Sequence, residues 1–89
     1  MVVKRKLTVT NEAGMHLRAA SKIVSALQDF VCDVELKYNN RTANAKSIMS
    51  LTQLIAPKGS ELILKANGPD AQRAALTLEK IFRNKFGEE

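Results

Sequence analysis

The apolar residues of this chain switch repeatedly between a period of two and a helical period, and that switching constrains the fold more than any other feature. Val3, Arg5, Leu7 and Val9 share one parity and Lys4, Lys6, Thr8 and Thr10 the other, which predicts a first strand with one wet face. Loop chemistry follows at Asn11-Glu12-Ala13-Gly14. Ala20, Ile23, Val24, Leu27 and Val31 then recur at helical spacing, predicting a helix over roughly residues 17–29. Cys32, Val34 and Leu36 alternate with Asp33, Glu35 and Lys37 as a half-buried strand. Asn39-Asn40 is a two-residue hairpin turn, because Asn tolerates positive φ, and Arg41 to Ala45 returns as a short strand.

Ser47 is placed to cap a short helix carrying Ile48, Leu51, Thr52 and Ile55, which Pro57 and Gly59 end. Leu62, Leu64 and Ala66 alternate with Ile63, Lys65 and Asn67 as a fourth strand. Gly68-Pro69-Asp70 makes a turn and helix start, with Asp70 favourable at the positive helix end. Ala71, Ala74, Ala75, Leu78, Ile81, Phe82 and Phe86 form the apolar stripe of a last helix. The order β-α-β-β-α-β-α, with a hairpin and half-polar strands, predicts a two-layer α+β domain: an antiparallel sheet with its helices packed on one face.

At 89 residues this is one domain, spanning 1–89, and a 45% hydrophobic, 26% charged composition is that of an ordinary folded chain. No apolar run approaches the ~20 residues of a membrane span, and no long apolar stretch follows Lys4-Arg5-Lys6, so neither a membrane anchor nor a signal peptide is expected. One Cys and one His supply neither a disulfide nor the four ligands of a structural zinc. A small, reduced, cytoplasmic carrier or binding module is the expectation.

Fourteen basic against nine acidic residues give a net charge of +5, which favours anionic partners, but only Lys4-Arg5-Lys6 is a run. A sheet-face RNA reader needs exposed strand aromatics, and Tyr38 is the single candidate, so nucleic acid is not the expected partner. Cys32, at an inward strand position, reads as a buried structural thiol. The acidic side chains are dispersed, and the pair Glu88-Glu89 reads as solvated.

His16 carries the chemical signal. A lone histidine is more often inert, but this one follows a glycine loop, sits at the start of a predicted helix and has Arg18 two positions on. Unpaired N–H groups and the positive end of the helix dipole bind phosphate there, and the same field favours the neutral, nucleophilic ring. Arg18 can neutralise a phosphoryl group held on that ring. Ser47 reads first as a helix cap, at a position that also accommodates phosphate. Its neighbours Ile48 and Met49 give a short helix more apolar surface than it ordinarily carries, as a docking patch would.

Gly14-Met15-His16-Leu17-Arg18-Ala19-Ala20 resembles the active-site segment of HPr, the histidine-containing phosphocarrier family of the bacterial sugar phosphotransferase system. Asn44-Ala45-Lys46-Ser47-Ile48-Met49-Ser50-Leu51 resembles that family's regulatory serine segment, and Gly68-Pro69-Asp70-Ala71 through Phe86-Gly87-Glu88 its last helix and ending. The resemblance implies an open-faced β-sandwich, four antiparallel strands covered on one face by three helices. It implies that His16 accepts a phosphoryl group through Nδ1 from phospho-Enzyme I and passes it to Enzyme IIA domains. Arg18 would stabilise that group, and the backbone N–H groups of Leu17 and Arg18 would complete its cradle. No metal or cofactor is implied, and the carrier is a reactant as much as a catalyst.

Further partners implied are an HPr kinase/phosphorylase acting on Ser47 and a transcriptional regulator, with Leu17, Ile48 and Met49 as docking residues on a monomer. The family usually has His-Ala-Arg-Pro where this chain has His16-Leu17-Arg18-Ala19, so a less rigid helix start is expected. Other readings are a nitrogen-pathway paralogue acting by regulation, a pure docking module, and a basic nucleic-acid-binding domain.

Overall fold

A computed structural model describes residues 1–88 of the chain; Glu89 lies outside them. The elements run β1 (Val2–Thr8), α1 (Leu17–Leu27), β2 (Asp33–Tyr38), β3 (Arg41–Asn44), α2 (Ile48–Thr52), β4 (Glu61–Asn67) and α3 (Ala71–Arg83), with a 3₁₀ turn at Lys85–Gly87. Among the described residues the strands form one antiparallel sheet in the order β1-β4-β2-β3. The central pairings set Leu7 against Leu62 and Leu36 against Leu64. This is the two-layer antiparallel arrangement expected from the period switching and the open-faced sandwich that the resemblance implies.

Parity decides which sheet face is covered. Val3, Leu7, Val34, Leu36, Ala43, Leu62, Leu64 and Ala66 are buried, while their alternating neighbours, Lys4, Lys6, Glu35, Lys37, Glu61 and Lys65 among them, face solvent. Helix α3 lies over β1 and β4, and α1 packs against α2 and α3. Ala19, Ala20, Ile23 and Leu27 of α1 meet the core, as do Ala71, Ala74, Ala75, Leu78 and Phe82 of α3. Cys32 is buried, as its parity requires. Tyr38 packs against the core edge and presents no stacking platform on the open face. Among the described residues no helix is long and apolar enough to cross a membrane.

The β2–β3 hairpin turns on Asn39, whose φ is 56°, with Tyr38 directly opposite Arg41. Three predicted helical stripes end earlier than expected. Val31 is 75% exposed, because α1 stops at Leu27 and the chain at Val31 and Cys32 is held elsewhere. The carboxylate of Asp70 accepts the N–H groups of both residues, each at 2.9 Å, and makes no side-chain cap on its own helix. Ile55 is 69% exposed at φ 52°, one turn beyond the end of α2. Phe86 is buried, but from outside α3. Lys85 and Phe86 both turn left-handed, at φ 54° and 55°, and the Phe86 ring meets Phe82 edge-on at 4.8 Å.

Candidate functional site

The site starts at Gly14. Its φ of 73° reverses the chain, and its α-carbon lies so close to the 56–57 backbone that an added Cβ would fall 2.6 Å from the carbonyl oxygen of Ala56. Met15 then donates its N–H to that same oxygen at 2.8 Å, and its buried side chain fastens the loop to the core. The next residue is His16, in extended conformation (φ −108°, ψ −176°), which acts as N-cap of α1. Its carbonyl accepts the first intrahelical bond, from Ala20 N–H at 2.9 Å.

The imidazole is the capping side chain. Its Nδ1 accepts the N–H of Arg18 at 3.3 Å, and its Nε2 lies 2.5 Å from Oε2 of Glu88. An Nδ1 that accepts carries a lone pair, so in the neutral ring the proton is on Nε2, donated to the carboxylate. Oε1 of Glu88 accepts from Nδ2 of Asn11 at 2.8 Å, and the same amide donates to the Gly14 carbonyl at 2.9 Å. Asn11 is fully buried, the Glu88 side chain is 10% exposed and that of His16 31%. The ring is thus held at Nε2 by a largely buried carboxylate and at Nδ1 by a longer bond from a backbone N–H, and its side chain is partly exposed. The hydrogen bond from Asn11 holds the Glu88 carboxyl below the usual glutamate range, with further lowering from His16 and the charge of Arg18.

Sequence reasoning placed His16, Leu17 and Arg18 together at the helix start, and they are together. It read Glu88 as solvated, which the contact with His16 corrects; Glu89, the other half of that pair, lies outside the described residues. Asn11 was read only as loop. No local pattern identifies either residue, since Glu88 lies 72 positions from His16 and 77 from Asn11. Leu17 is 65% exposed beside the ring, and Arg18 is exposed. Arg18 lines one end of a groove of about 640 Å³ whose walls include Lys22, Ser25, Ile81 and Phe86.

Ser47 caps α2, its Oγ accepting the N–H of Ser50 at 3.2 Å. Asn44 fixes the approach. Its Oδ1 accepts from Lys46 N–H and its own N–H donates to Ser50 Oγ, both at 2.9 Å. Ile48 is half-buried against the core, and Met49 is 72% exposed. Because α2 packs on α1, the serine segment and the histidine segment belong to adjoining helices. Among the described residues no cluster of three or more His, Cys, Asp or Glu side chains could hold a metal ion.

A small open-faced sandwich that presents one histidine nitrogen at a helix N-terminus has the architecture of a phosphohistidine carrier. Residues 3–84 match the family model for the phosphotransferase-system HPr component phosphorylation site. The phosphocarrier protein HPr of Treponema pallidum is 44% identical over 89 residues, covering all of both chains. That of Cupriavidus necator is 38% identical over 87 residues, 98% of each. The crystal structure of HPr from Thermoanaerobacter tengcongensis superimposes with a TM-score of 0.92 at 31% identity, covering 98% of each chain. The chain belongs to the HPr family of phosphocarrier proteins of the phosphotransferase system.

Proposed function

We propose that this protein carries its phosphoryl group on Nδ1 of His16, taking it from the phosphohistidine of Enzyme I and giving it to Enzyme IIA domains. The observation that carries this reading is the hydrogen-bond pattern of the ring, with Nε2 on Glu88 and the lone pair of Nδ1 turned to the backbone N–H of Arg18 at the N-terminus of α1. In the forward step that lone pair forms the new N–P bond while the donor's N–P bond breaks, its electron pair returning to the donor nitrogen. The N–H of Arg18, now directed at Nδ1, and that of Leu17 then meet the phosphoryl oxygens at the positive end of the helix. The Arg18 guanidinium supplies the countercharge. Positioning and charge stabilisation provide the catalysis, as in phosphoryl transfer generally.

Leu17, Ile48 and Met49 form the docking surface in this reading, and the carrier works in the cytoplasm as a monomer. Ser47 is its regulatory site, modified by an HPr kinase. A phosphate there adds roughly −1.5 to −2 charges at the start of a helix adjoining the histidine segment.

Phosphoryl uptake from phosphoenolpyruvate with catalytic Enzyme I tests the proposal, following mass and acid lability with His16→Ala in parallel. An acid-labile phosphate on the wild type and none on the variant is the expected result. No phosphate on the wild type, with the same Enzyme I active on another carrier, overturns it.

A further inference from the structure

We infer that Glu88, aimed by Asn11, is a positioning residue for His16: it keeps the ring proton on Nε2 through the whole transfer cycle and faces the imidazolium that forms when Nδ1 is phosphorylated. The inference rests on the phosphocarrier reading for its second half only; the first half concerns the unmodified ring.

A neutral imidazole has one nitrogen lone pair available for attack, and which nitrogen holds it depends on the hydrogen bond made by the other. Here the other is occupied. Oε2 of Glu88 sits 2.5 Å from Nε2, and a carboxylate in that place accepts a proton-bearing nitrogen and repels a lone pair. The carboxylate is itself held, Oε1 receiving the Asn11 amide at 2.8 Å. This is the relation seen where a histidine's second nitrogen is fixed by an outer carboxylate. The charged group that bears on the Glu88 carboxylate besides the ring is Arg18; the Nζ of Lys22 lies over the neighbouring Gly87.

The backbone supplies an independent indication. Lys85, Phe86 and Gly87 take successive positive φ values of 54°, 55° and 72°, and the first two have side chains. Such strain persists only where the surroundings enforce it, and it concentrates at functional sites. The burial of Phe86 against Phe82 enforces it here, and the turn so made delivers Glu88 to the ring.

The proton balance follows. When Nδ1 attacks phosphorus with Nε2 still protonated, the ring becomes cationic and no proton has to leave. When the phosphoryl group moves on, the N–P electron pair returns to Nδ1 and the ring is again neutral with its proton on Nε2. The carboxylate therefore gains an opposite charge in the loaded state.

The test uses the full chain labelled with ¹⁵N at its single histidine. Multiple-bond ¹H–¹⁵N spectra of the unphosphorylated ring, recorded where it is neutral, report the tautomer without any partner enzyme. The wild type and Glu88→Gln, which keeps an acceptor, are expected to show the Nε2–H form, and Glu88→Ala a mixture. Uptake from phospho-Enzyme I is expected to fall about tenfold or more in Glu88→Ala, with partial recovery in Glu88→Gln. Amide spectra check that each variant is folded. An unchanged tautomer in folded Glu88→Ala overturns the inference, as does uptake equal to the wild type. A wild-type protein that takes up no phosphate overturns the carrier reading instead, and the tautomer result still decides the role of Glu88.

Discussion

Gly14→Ala is the sharpest perturbation of the loop that carries His16, and its cost can be worked from two separate quantities. The first is conformational: an L side chain at φ 73° costs about 1–2 kcal/mol. The second is steric. The new Cβ stands 2.6 Å from the Ala56 oxygen and 3.0 Å from the Pro57 α-carbon, where ordinary contact begins at 3.4 Å. Backbone must move by about 0.8 Å to restore contact, and overpacking of that kind costs about 1–3 kcal/mol. The oxygen that has to yield also accepts the Met15 N–H, a bond worth about 1 kcal/mol. Gly59→Ala is the internal control, since its φ of 93° carries the conformational cost with nothing within 4 Å of the added Cβ. The variants are expected to lie about 3 and about 1 kcal/mol below wild type, after the small gain from a stiffer unfolded chain. At roughly 4–8 °C per kcal/mol, their thermal midpoints should differ by about 8–16 °C. Midpoints within 3 °C of one another would refute the steric argument. Since His16 N–H bonds the Gly14 carbonyl at 3.0 Å, phosphoryl uptake should fall in Gly14→Ala and hold in Gly59→Ala.

Three further outcomes are expected. Ser47→Ala removes the cap of α2 and should cost about 1 kcal/mol in urea unfolding; Ser47→Asp keeps a capping oxygen and should stay within about 0.5 kcal/mol. If Ser47 is the regulatory site, Ser47→Asp slows uptake from Enzyme I at that unchanged stability, and equal rates count against the role. The Asp70 carboxyl is held below the usual aspartate range, first by the Val31 N–H bond and then by bonds at Cys32. Its contribution is therefore complete above the unfolded value of about 3.9 and lost as pH falls through the lower folded value. The stability gap between wild type and Asp70→Asn should be widest at neutral pH and close below that range; urea midpoints from pH 7 to 2 would show a constant gap if the reasoning is wrong.

The strands, the hairpin and the cap were legible because each is decided locally. Leu62, Leu64 and Ala66 announce their face by parity, Asn39 tolerates the positive φ its turn requires, and Ser47 offers an oxygen to an unpaired N–H. The misreadings share one form. Val31, Ile55 and Phe86 each stand four residues after a buried member of a helical stripe, at Leu27, Leu51 and Phe82, and the stripe extrapolates onto them. In each case the helix has ended. For Val31, the side chain holding the chain away belongs to Asp70, 39 positions on, and no window around Val31 contains that information. Phe86 reaches the core anyway by a left-handed route that neither Lys85 nor Phe86 itself advertises.

His16 was legible for a local reason, a glycine loop before a helix start, whereas its partner was not, and under the function proposed above the difference follows from what a carrier histidine has to do. A group that meets successive partner proteins must stay open on the side of its reacting nitrogen, so it cannot be held by burial on that side. Control of the ring has to come through the opposite nitrogen, from a residue that leaves the open face clear. Glu88 satisfies this from the far end of the chain, more buried than the ring it holds, with buried Asn11 behind it. On the proposed function, the residue after the Lys85–Gly87 turn, beyond the end of α3, belongs to the reaction centre. Phe86→Ala should therefore act twice: through the loss of a buried aromatic, at about 3–5 kcal/mol, and through release of Glu88 from Nε2. Phe86→Leu, which refills most of the volume, should restore much of the stability. If the turn positions Glu88 only through packing, the Nε2–H tautomer returns with it; if stability returns and the tautomer stays mixed, the geometry set by the aromatic pair at 82 and 86 is what aims the carboxylate.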